Sequence, residues 1–208
     1  MNLLDNFIHE CDIALKTLSF TKSGTGRSYP ANETSSSPAK KEKSLSAQLM
    51  RVNLAGEVAA QALYRGQAMV CKDAEIKNHL VQAGEEETDH LIWCKKRLEE
   101  LNGKPSILNP VWYAGSFAIG AIFGSFGEKT SLGFVEETEK QVVKHLEKHL
   151  DRVSKNDTET IEILKTMRAD EDEHAQEAIE NGSESLSQPT KKVMSFTAKV
   201  MTSSSAYI

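Results

Sequence analysis

EETDHL (residues 86–91) and DEDEHA (residues 170–175) each place a histidine three residues after a glutamate. A separation of three residues puts both side chains on the same face of an α-helix. One such match is expected by chance in a chain rich in glutamate, so the first stretch alone would mean little. Its repetition and its surroundings make it informative. The two pairs are Glu87–His90 and Glu171–His174.

Both pairs lie in apolar stripes that recur at steps of three and four residues, the period of a buried helix face. Two other helical segments each carry one glutamate in a similar stripe, Glu57 and Glu139. Glu57 precedes Glu87 by 30 residues, and Glu139 precedes Glu171 by 32. The pattern predicts two helix pairs that each supply half of one site. Apolar members of the stripes are Met50, Leu54, Leu80, Leu91, Leu98, Leu132, Val135, Leu146, Leu164 and Met167.

Four buried carboxylates would repel one another and lose their hydration, and the stripes contain too few Lys or Arg to neutralise them. Two divalent or trivalent metal ions would do so. Glutamate oxygens with only two imidazoles favour iron or manganese over zinc or copper. One Glu and one Glu-x-x-His from each helix pair is the ligand pattern of ferritin-like di-iron bundles. The predicted metal ligands are Glu57, Glu87, His90, Glu139, Glu171 and His174.

The chain is predicted to be all-α, a ferritin-like four-helix bundle with additional apolar or amphipathic helices, because no strand-like alternation of useful length occurs. We expect an amphipathic helix at 1–19, a flexible Ser/Gly/Pro-rich linker at 20–44 and the bundle at 45–208. Turn and cap residues separate the predicted helices. These lie near 3–18, 45–70, 73–102, 110–126, 130–153, 157–181 and 188–202.

Other acids and imidazoles have plainer interpretations. His145 lies six residues beyond Glu139, about 120° around the helix. It either orients a ligand or the substrate from beside the site, or it is an ordinary polar residue flanking the core. The pattern leaves both open. Five glutamates are expected on solvated helix faces: Glu85, Glu86, Glu136, Glu137 and Glu173.

The most apolar stretch is PSILNPVWYAGSFAIGAIFGSFG at 105–127. It is too short and too glycine-rich to indicate a membrane-spanning helix. Trp112 and Tyr113 have the character of membrane-interface anchors, so the segment is either a helix that lies in the headgroup region or a buried crossover helix. The segment KKVMSFTAKVM at 191–201 combines lysines with apolar residues, and it either lies on an anionic membrane face or docks on the bundle.

Composition excludes several classes of protein. The chain has 208 residues, a net charge of −5 and no basic block, so a nucleic-acid partner is not expected. Three cysteines without CxxC spacing are typical of free thiols in a reducing compartment. Acidic residues near the N-terminus are unlike a signal or transit peptide, so we expect a mature cytosolic start.

Five segments follow one another in order over about 45–201: RVNLAGEVAAQALYRGQA (51–68), EEETDHLIWCKKRLEEL (85–101), PSILNPVWYAGSFAIG (105–120), SLGFVEETEKQVVKHLEKHL (131–150) and MRADEDEHAQEAIENG (167–182). Together they resemble the demethoxyubiquinone hydroxylase family in its longer bacterial form. Iron-storage and ribonucleotide-reductase bundles lack the LNPVWYAGS part of the third segment. The chain departs from the family at Leu54, where a histidine that is not an iron ligand is usual.

This resemblance implies an O2-dependent di-iron monooxygenase of ubiquinone biosynthesis that hydroxylates the ring of a polyprenylated methoxy-methyl-benzoquinol. It implies two irons on the six residues above, His145 as a polar residue near them, and NADH as the electron source. The apolar segment at 110–126 and the tail at 191–201 do not suit a soluble cage, so they predict a monomer or small homo-oligomer, peripheral on the cytoplasmic side of the cell membrane. Other ubiquinone-biosynthesis proteins are further expected partners. The alternative is a ferritin-like protein that handles or stores iron.

Overall fold

A computed structural model of the chain describes residues 3–31 and 38–208. Over these residues the chain forms α-helices and no strand, which confirms the all-α prediction. The helices are α1 Leu3–Leu18, α2 Lys40–Val70, α3 Ala74–Glu100, α4 Asn109–Gly124, α5 Glu128–Arg152, α6 Thr158–Glu180 and α7 Gln188–Ser205.

The core lies between α2, α3, α5 and α6. Short connections join α2 to α3 and α5 to α6, and the next helix begins with an aspartate cap in both cases. Asp73 accepts hydrogen bonds from the backbone N–H groups of Glu75 and Ile76, and Asp157 accepts one from Thr160. The largest side chains that are almost fully buried include Met50, Leu54, Leu80, Leu91, Trp93, Leu98, Leu132, Leu146, Leu164 and Met167. The predicted apolar stripes are therefore buried between the helices, in a larger cluster that includes Met50 and Leu164 and a smaller one that includes Leu80 and Val135.

The predicted linker at 20–44 is not linker throughout. Helix α2 begins at Lys40, before the predicted boundary, where the Glu42 carboxylate accepts a hydrogen bond from the Ala39 backbone N–H at 2.6 Å. Residues 32–37 lie outside the described part of the chain. Residues 19–31, called here the N-terminal strap, contain no helix but contact the bundle through side chains such as Arg27 and Tyr29.

Helix α4 combines features of both interpretations of the apolar segment. One face packs on α2 so closely that a Cβ at Gly66 or Gly120 would lie 2.2 Å from a backbone oxygen of the other helix. The other face is exposed, with Val111 at 59% and Ile122 at 54% of their maximal accessibility. Trp112 Nε1 donates to Ser205 Oγ at 3.0 Å, so α4 also contacts the end of α7. Tyr113 is buried in the core and does not have the exposed position that an interface anchor requires. Among the described helices, none has the length and apolarity that crossing a membrane requires.

The close approach of α2 and α4 makes glycine necessary at residue 120. We expect Gly120→Ala to lower the free energy of unfolding by about 1–3 kcal/mol, because its methyl group would meet the Leu63 carbonyl. Gly115→Ala is the control, since a Cβ there meets nothing within 4 Å and alanine favours helix by about 1 kcal/mol. Urea unfolding measures both. Equal stability of the two variants would contradict the close packing.

Candidate metal centre

The structure brings the six predicted residues together in the middle of the bundle. Glu57 comes from α2, Glu139 from α5, and each Glu-x-x-His pair from α3 or α6. Each is at most 4% exposed. The helical period explains the arrangement, because each residue occupies a core position in its own stripe and the four stripes face one another.

Two glutamates stand between the two imidazoles. Glu87 Oε2 lies 3.2 Å from His90 Nδ1, and Glu87 Oε1 lies 3.2 Å from His174 Nδ1. Glu171 does the same from the opposite helix, with Oε1 at 3.2 Å from His90 Nδ1 and Oε2 at 3.3 Å from His174 Nδ1. Each carboxylate therefore points one oxygen at each imidazole, as a ligand that bridges two ions would.

The remaining two glutamates belong to opposite ends of the cluster. Glu57 Oε2 lies 3.8 Å from His90 Nδ1. Glu139 Oε1 accepts a hydrogen bond from the buried Tyr64 hydroxyl at 2.8 Å. Potential ligand atoms of Glu57, Glu87, His90 and Glu171 all lie within 4.8 Å of one another. This buried Glu/His cluster could hold a metal ion.

The electrostatics of the cluster favour bound cations. Burial, followed by repulsion from Glu87 and Glu171, raises the pKa of Glu57 well above its usual range. Burial and repulsion from Glu171 and Glu87 do the same to the pKa of Glu139. The carboxylates carry more negative charge than a dry core tolerates, and metal cations would relieve that excess. The carboxylate oxygen Glu87 Oε1 is also buried without a hydrogen bond, so it is available as a metal ligand.

The outward-facing nitrogen of each histidine is held by a carboxylate. His90 Nε2 lies 2.8 Å from Asp170 Oδ2, and His174 Nε2 lies 2.9 Å from Glu86 Oε2. A carboxylate in this position fixes the imidazole tautomer, so that the other nitrogen presents its lone pair to a metal. Both Nδ1 atoms face the cluster, as metal binding requires.

Sequence reasoning missed these two carboxylates. Glu86 was expected on a solvated face, and that prediction is wrong because its side chain reaches the histidine of the neighbouring helix. The available signal was an acid directly before each Glu-x-x-His: Glu86 before Glu87, and Asp170 before Glu171. In the fold, Glu86 contacts His174 and Asp170 contacts His90, so each acid supports the histidine of the other motif.

The other expected surface glutamates divide into two groups. Glu85 and Glu173 are exposed, as predicted. Glu136 and Glu137 are largely covered, with side chains only 12% exposed, so the prediction of a solvated face is wrong for them. Glu136 accepts a hydrogen bond from Ser183, and Glu137 pairs with Lys191 at 2.9 Å. These contacts tie α5 to α7 and to the segment before it.

His145 lies beside His149, with ring centroids 4.0 Å apart. Burial first, and then the charges of Lys148 and Arg152, lower the pKa of His145 to about 4. Within the described part of the chain, no cluster carboxylate contributes to that shift. Leu54, at the position of the usual family histidine, is fully buried in the apolar core.

Comparisons with known proteins find similar sequences along the whole chain. Residues 44–205 match the model of a family described as ubiquinone biosynthesis protein COQ7. A Francisella philomiragia protein is 47% identical over 202 residues, 97% of this chain and 96% of its own length. Proteins of Legionella pneumophila (strain Lens) and Nitrosococcus oceani are 48% and 46% identical, with 100% of this chain and 98% of theirs covered. All three are named 3-demethoxyubiquinol 3-hydroxylase.

Proposed function

The chain belongs to the COQ7 family of ubiquinone biosynthesis proteins, and from that premise we propose that it is a 3-demethoxyubiquinol 3-hydroxylase, a monooxygenase that adds a hydroxyl group to a benzoquinol ring. The main support for the proposal lies in the core, where Glu87 and Glu171 each point one carboxylate oxygen at His90 and the other at His174. Two irons between these carboxylates would supply reductive activation of O2.

The ligand set divides into two halves. Glu57 and His90 would hold one iron, Glu139 and His174 the other, and Glu87 and Glu171 would bridge them. The 3.8 Å separation of Glu57 Oε2 from His90 Nδ1 supports the first half. The Tyr64 hydroxyl supports the second half, because its hydrogen bond orients Glu139. Asp170 and Glu86 hold the imidazoles in place from outside.

A small cavity of about 10 Å³, room for one water molecule, borders Glu139. It is lined by α2 and α5, including the apolar residues Ala60, Leu63, Phe134 and Val135. The ring of Phe134 lies 4.2 Å from that of Phe123 on α4. We propose that the benzoquinol ring approaches Glu139 from this side when the apolar walls move apart, and that these walls exclude water around the reacting ring.

The polyprenyl tail of such a substrate would remain in lipid. We propose that the protein is peripheral on the cytoplasmic face of the cell membrane, because α4 and α7 expose apolar side chains. These include Ile122 at 54% on α4, and Val193 at 64% and Phe196 at 69% on α7. Lys192 and Lys199 are exposed on α7 and suit anionic headgroups.

We further propose O2 as the co-substrate and NADH as the source of electrons. We also propose that the protein acts as a monomer or small homo-oligomer beside other ubiquinone-biosynthesis proteins. Hydroxylation of one ring carbon places one atom of O2 in the product and the other in water. The reaction therefore needs two electrons and two protons, and the electrons come from the external donor.

Membrane binding can be tested by replacing single exposed apolar residues with glutamate. We expect Phe196→Glu on α7 and Ile122→Glu on α4 each to reduce flotation with anionic liposomes about tenfold or more, because each removes a side chain whose burial contributes about 1.5–3 kcal/mol. Ile179→Glu is the control, since Ile179 is 40% exposed on α6. If all three variants float like the parent, α4 and α7 are not the membrane-binding face.

The lipids of cells that lack the protein test the proposed function. We expect a demethoxy-quinone to accumulate in a deletion strain, and the parent gene to restore ubiquinone. The Glu171→Ala gene should fail to restore it. Normal ubiquinone in the deletion strain, together with disturbed iron content, would instead favour the ferritin-like iron-handling alternative.

A further inference from the structure

We propose that one residue of the N-terminal strap, Arg27, supports the metal centre as a positioning residue for its His90 half. The inference deepens the proposed function and rests on it. The strap lies wholly outside residues 44–205, the part of the chain that the family model matches. Its role therefore follows from contacts in this structure.

The strap lies along the outer face of α3, the helix that carries Glu87 and His90. Thr25 Oγ1 donates a hydrogen bond to Asp89, the neighbour of His90. At the two ends of the strap, Lys22 Nζ donates to the Gly84 carbonyl at 3.4 Å and the Tyr29 hydroxyl donates to Glu100 at 3.1 Å. Contacts at three levels of α3 fix the path of the strap.

Arg27 connects the strap to a metal ligand through one carboxylate. Its Nη1 and Nη2 donate to Asp170 Oδ2 and Oδ1 at 2.7 and 3.0 Å, a bidentate pair. Asp170 Oδ2 lies 2.8 Å from His90 Nε2. The Arg27 guanidinium also lies 4.9 Å from the Trp93 ring centre, and that ring packs against His90 at 5.3 Å. Arg27 thus restrains His90 along two routes.

The His174 half lacks such a support among the described residues. Glu86, which holds His174, accepts a hydrogen bond from the neutral Gln82 side chain at 3.0 Å instead of a guanidinium pair. Its side chain is 30% exposed, against 16% for Asp170. Glu173, which precedes His174 as Asp89 precedes His90, is exposed, whereas Asp89 is buried. The direct hydrogen bonds of Arg27 therefore reach one half of a site that is otherwise nearly symmetric, although its charge also acts on Glu86.

This asymmetry has a chemical consequence. A carboxylate that is held at both oxygens keeps its acceptor fixed toward His90 Nε2, so the imidazole stays in one tautomer and one orientation. Without Arg27, Asp170 can turn toward solvent and His90 can rotate. We expect the iron on His90 to be held less tightly and the iron on His174 to be unaffected.

Release of iron to a chelator tests the proposal. Arg27→Gln, Arg27→Lys and parent proteins would be loaded anaerobically with ferrous iron, freed of excess and mixed with a coloured ferrous chelator. For Arg27→Gln we expect half of the bound iron to leave roughly tenfold faster than in the parent, at the lower end of the 10–100-fold effects of residues that support ligands. Arg27→Lys, which keeps the charge without the bidentate geometry, should be intermediate.

Two control variants separate positioning from simple loss of strap contacts. Tyr29→Phe removes a strap hydrogen bond distant from the site and should release iron as the parent does. Glu86→Gln should accelerate release of the iron held by His174, because Glu86 contacts that histidine. The proposal is contradicted if Arg27→Gln releases iron as slowly as the parent, or if it accelerates the release of both irons equally. It is also contradicted if Tyr29→Phe releases iron as fast as Arg27→Gln. If the parent holds no iron, the proposed function itself fails, and this inference fails with it.

Discussion

Glu171→Ala should lose hydroxylase activity and most of its bound iron while its helices remain intact. Glu171 faces both imidazoles, at 3.2 Å from His90 and 3.3 Å from His174, so its loss removes a ligand from both proposed irons. We expect activity to fall by more than about 100-fold, because changes to residues that merely support ligands already cost 10–100-fold. Quinol turnover and metal analysis measure the two effects.

The fold should survive this substitution, since it removes one of several buried carboxylates that repel one another. Circular dichroism would show unchanged helicity. Glu173→Ala is the matched control, two residues away on the same helix and exposed; it should keep both activity and iron. Two irons retained in Glu171→Ala would contradict the ligand assignment.

Arg97→Met should be the most destabilising change outside the metal site. Arg97 is 5% exposed, and its Nη2 donates to the fully buried Asp157 at 2.7 Å. Nε donates to Thr160 Oγ1 at 3.0 Å. The substitution leaves a buried carboxylate without its cation, which typically costs 3–5 kcal/mol. Urea unfolding would measure the loss.

Arg168→Met is the control for this prediction. Arg168 pairs with Glu147 at 2.9 Å, but both side chains are largely exposed, at 40% and 48%. Exposed ion pairs contribute about 0–1 kcal/mol, so this variant should resemble the parent. Similar losses in the two variants would show that burial of the Arg97–Asp157 pair does not matter.

The same pair predicts a dependence of stability on pH. Burial acts to raise the pKa of Asp157, but its hydrogen bonds and the charge of Arg97 outweigh burial and hold the pKa below its usual value. A carboxyl group with a lower pKa in the folded state stabilises the fold above its unfolded pKa, about 3.9. That contribution disappears as the pH falls through the folded pKa. Arg97→Met should lose less stability over this acidic range than the parent.

The bundle and the six cluster residues could be predicted because helical periodicity is a local property. The sequence around an acid within an apolar stripe, such as Glu57 or Glu139, predicts that the acid is buried. Four stripes of this kind must face one another to be buried. Neither the fold class nor the composition of the cluster required knowledge of long-range contacts.

The supporting contacts could not be predicted in this way. Glu86 lies directly before a stripe residue and so appears solvated until the neighbouring helix brings His174 to it. Arg27 and Asp170 are 143 residues apart, and the Ser/Gly composition around Arg27 is also that of a flexible linker. The start of α2 depends on Glu42, which caps the helix and also accepts from Ser154 Oγ at 2.6 Å. Such contacts arise only from tertiary structure.

The source of the oxygen added to the ring tests the central claim most directly. Iron-loaded protein, a demethoxyubiquinol and a reductant would be incubated under labelled O2, and the product would be analysed by mass spectrometry. A monooxygenase places one labelled atom in the new hydroxyl group, and Glu171→Ala should form almost no product. A new oxygen that comes from water, or a protein that elutes as a large shell and loads many irons per chain without forming product, would contradict the hydroxylase account.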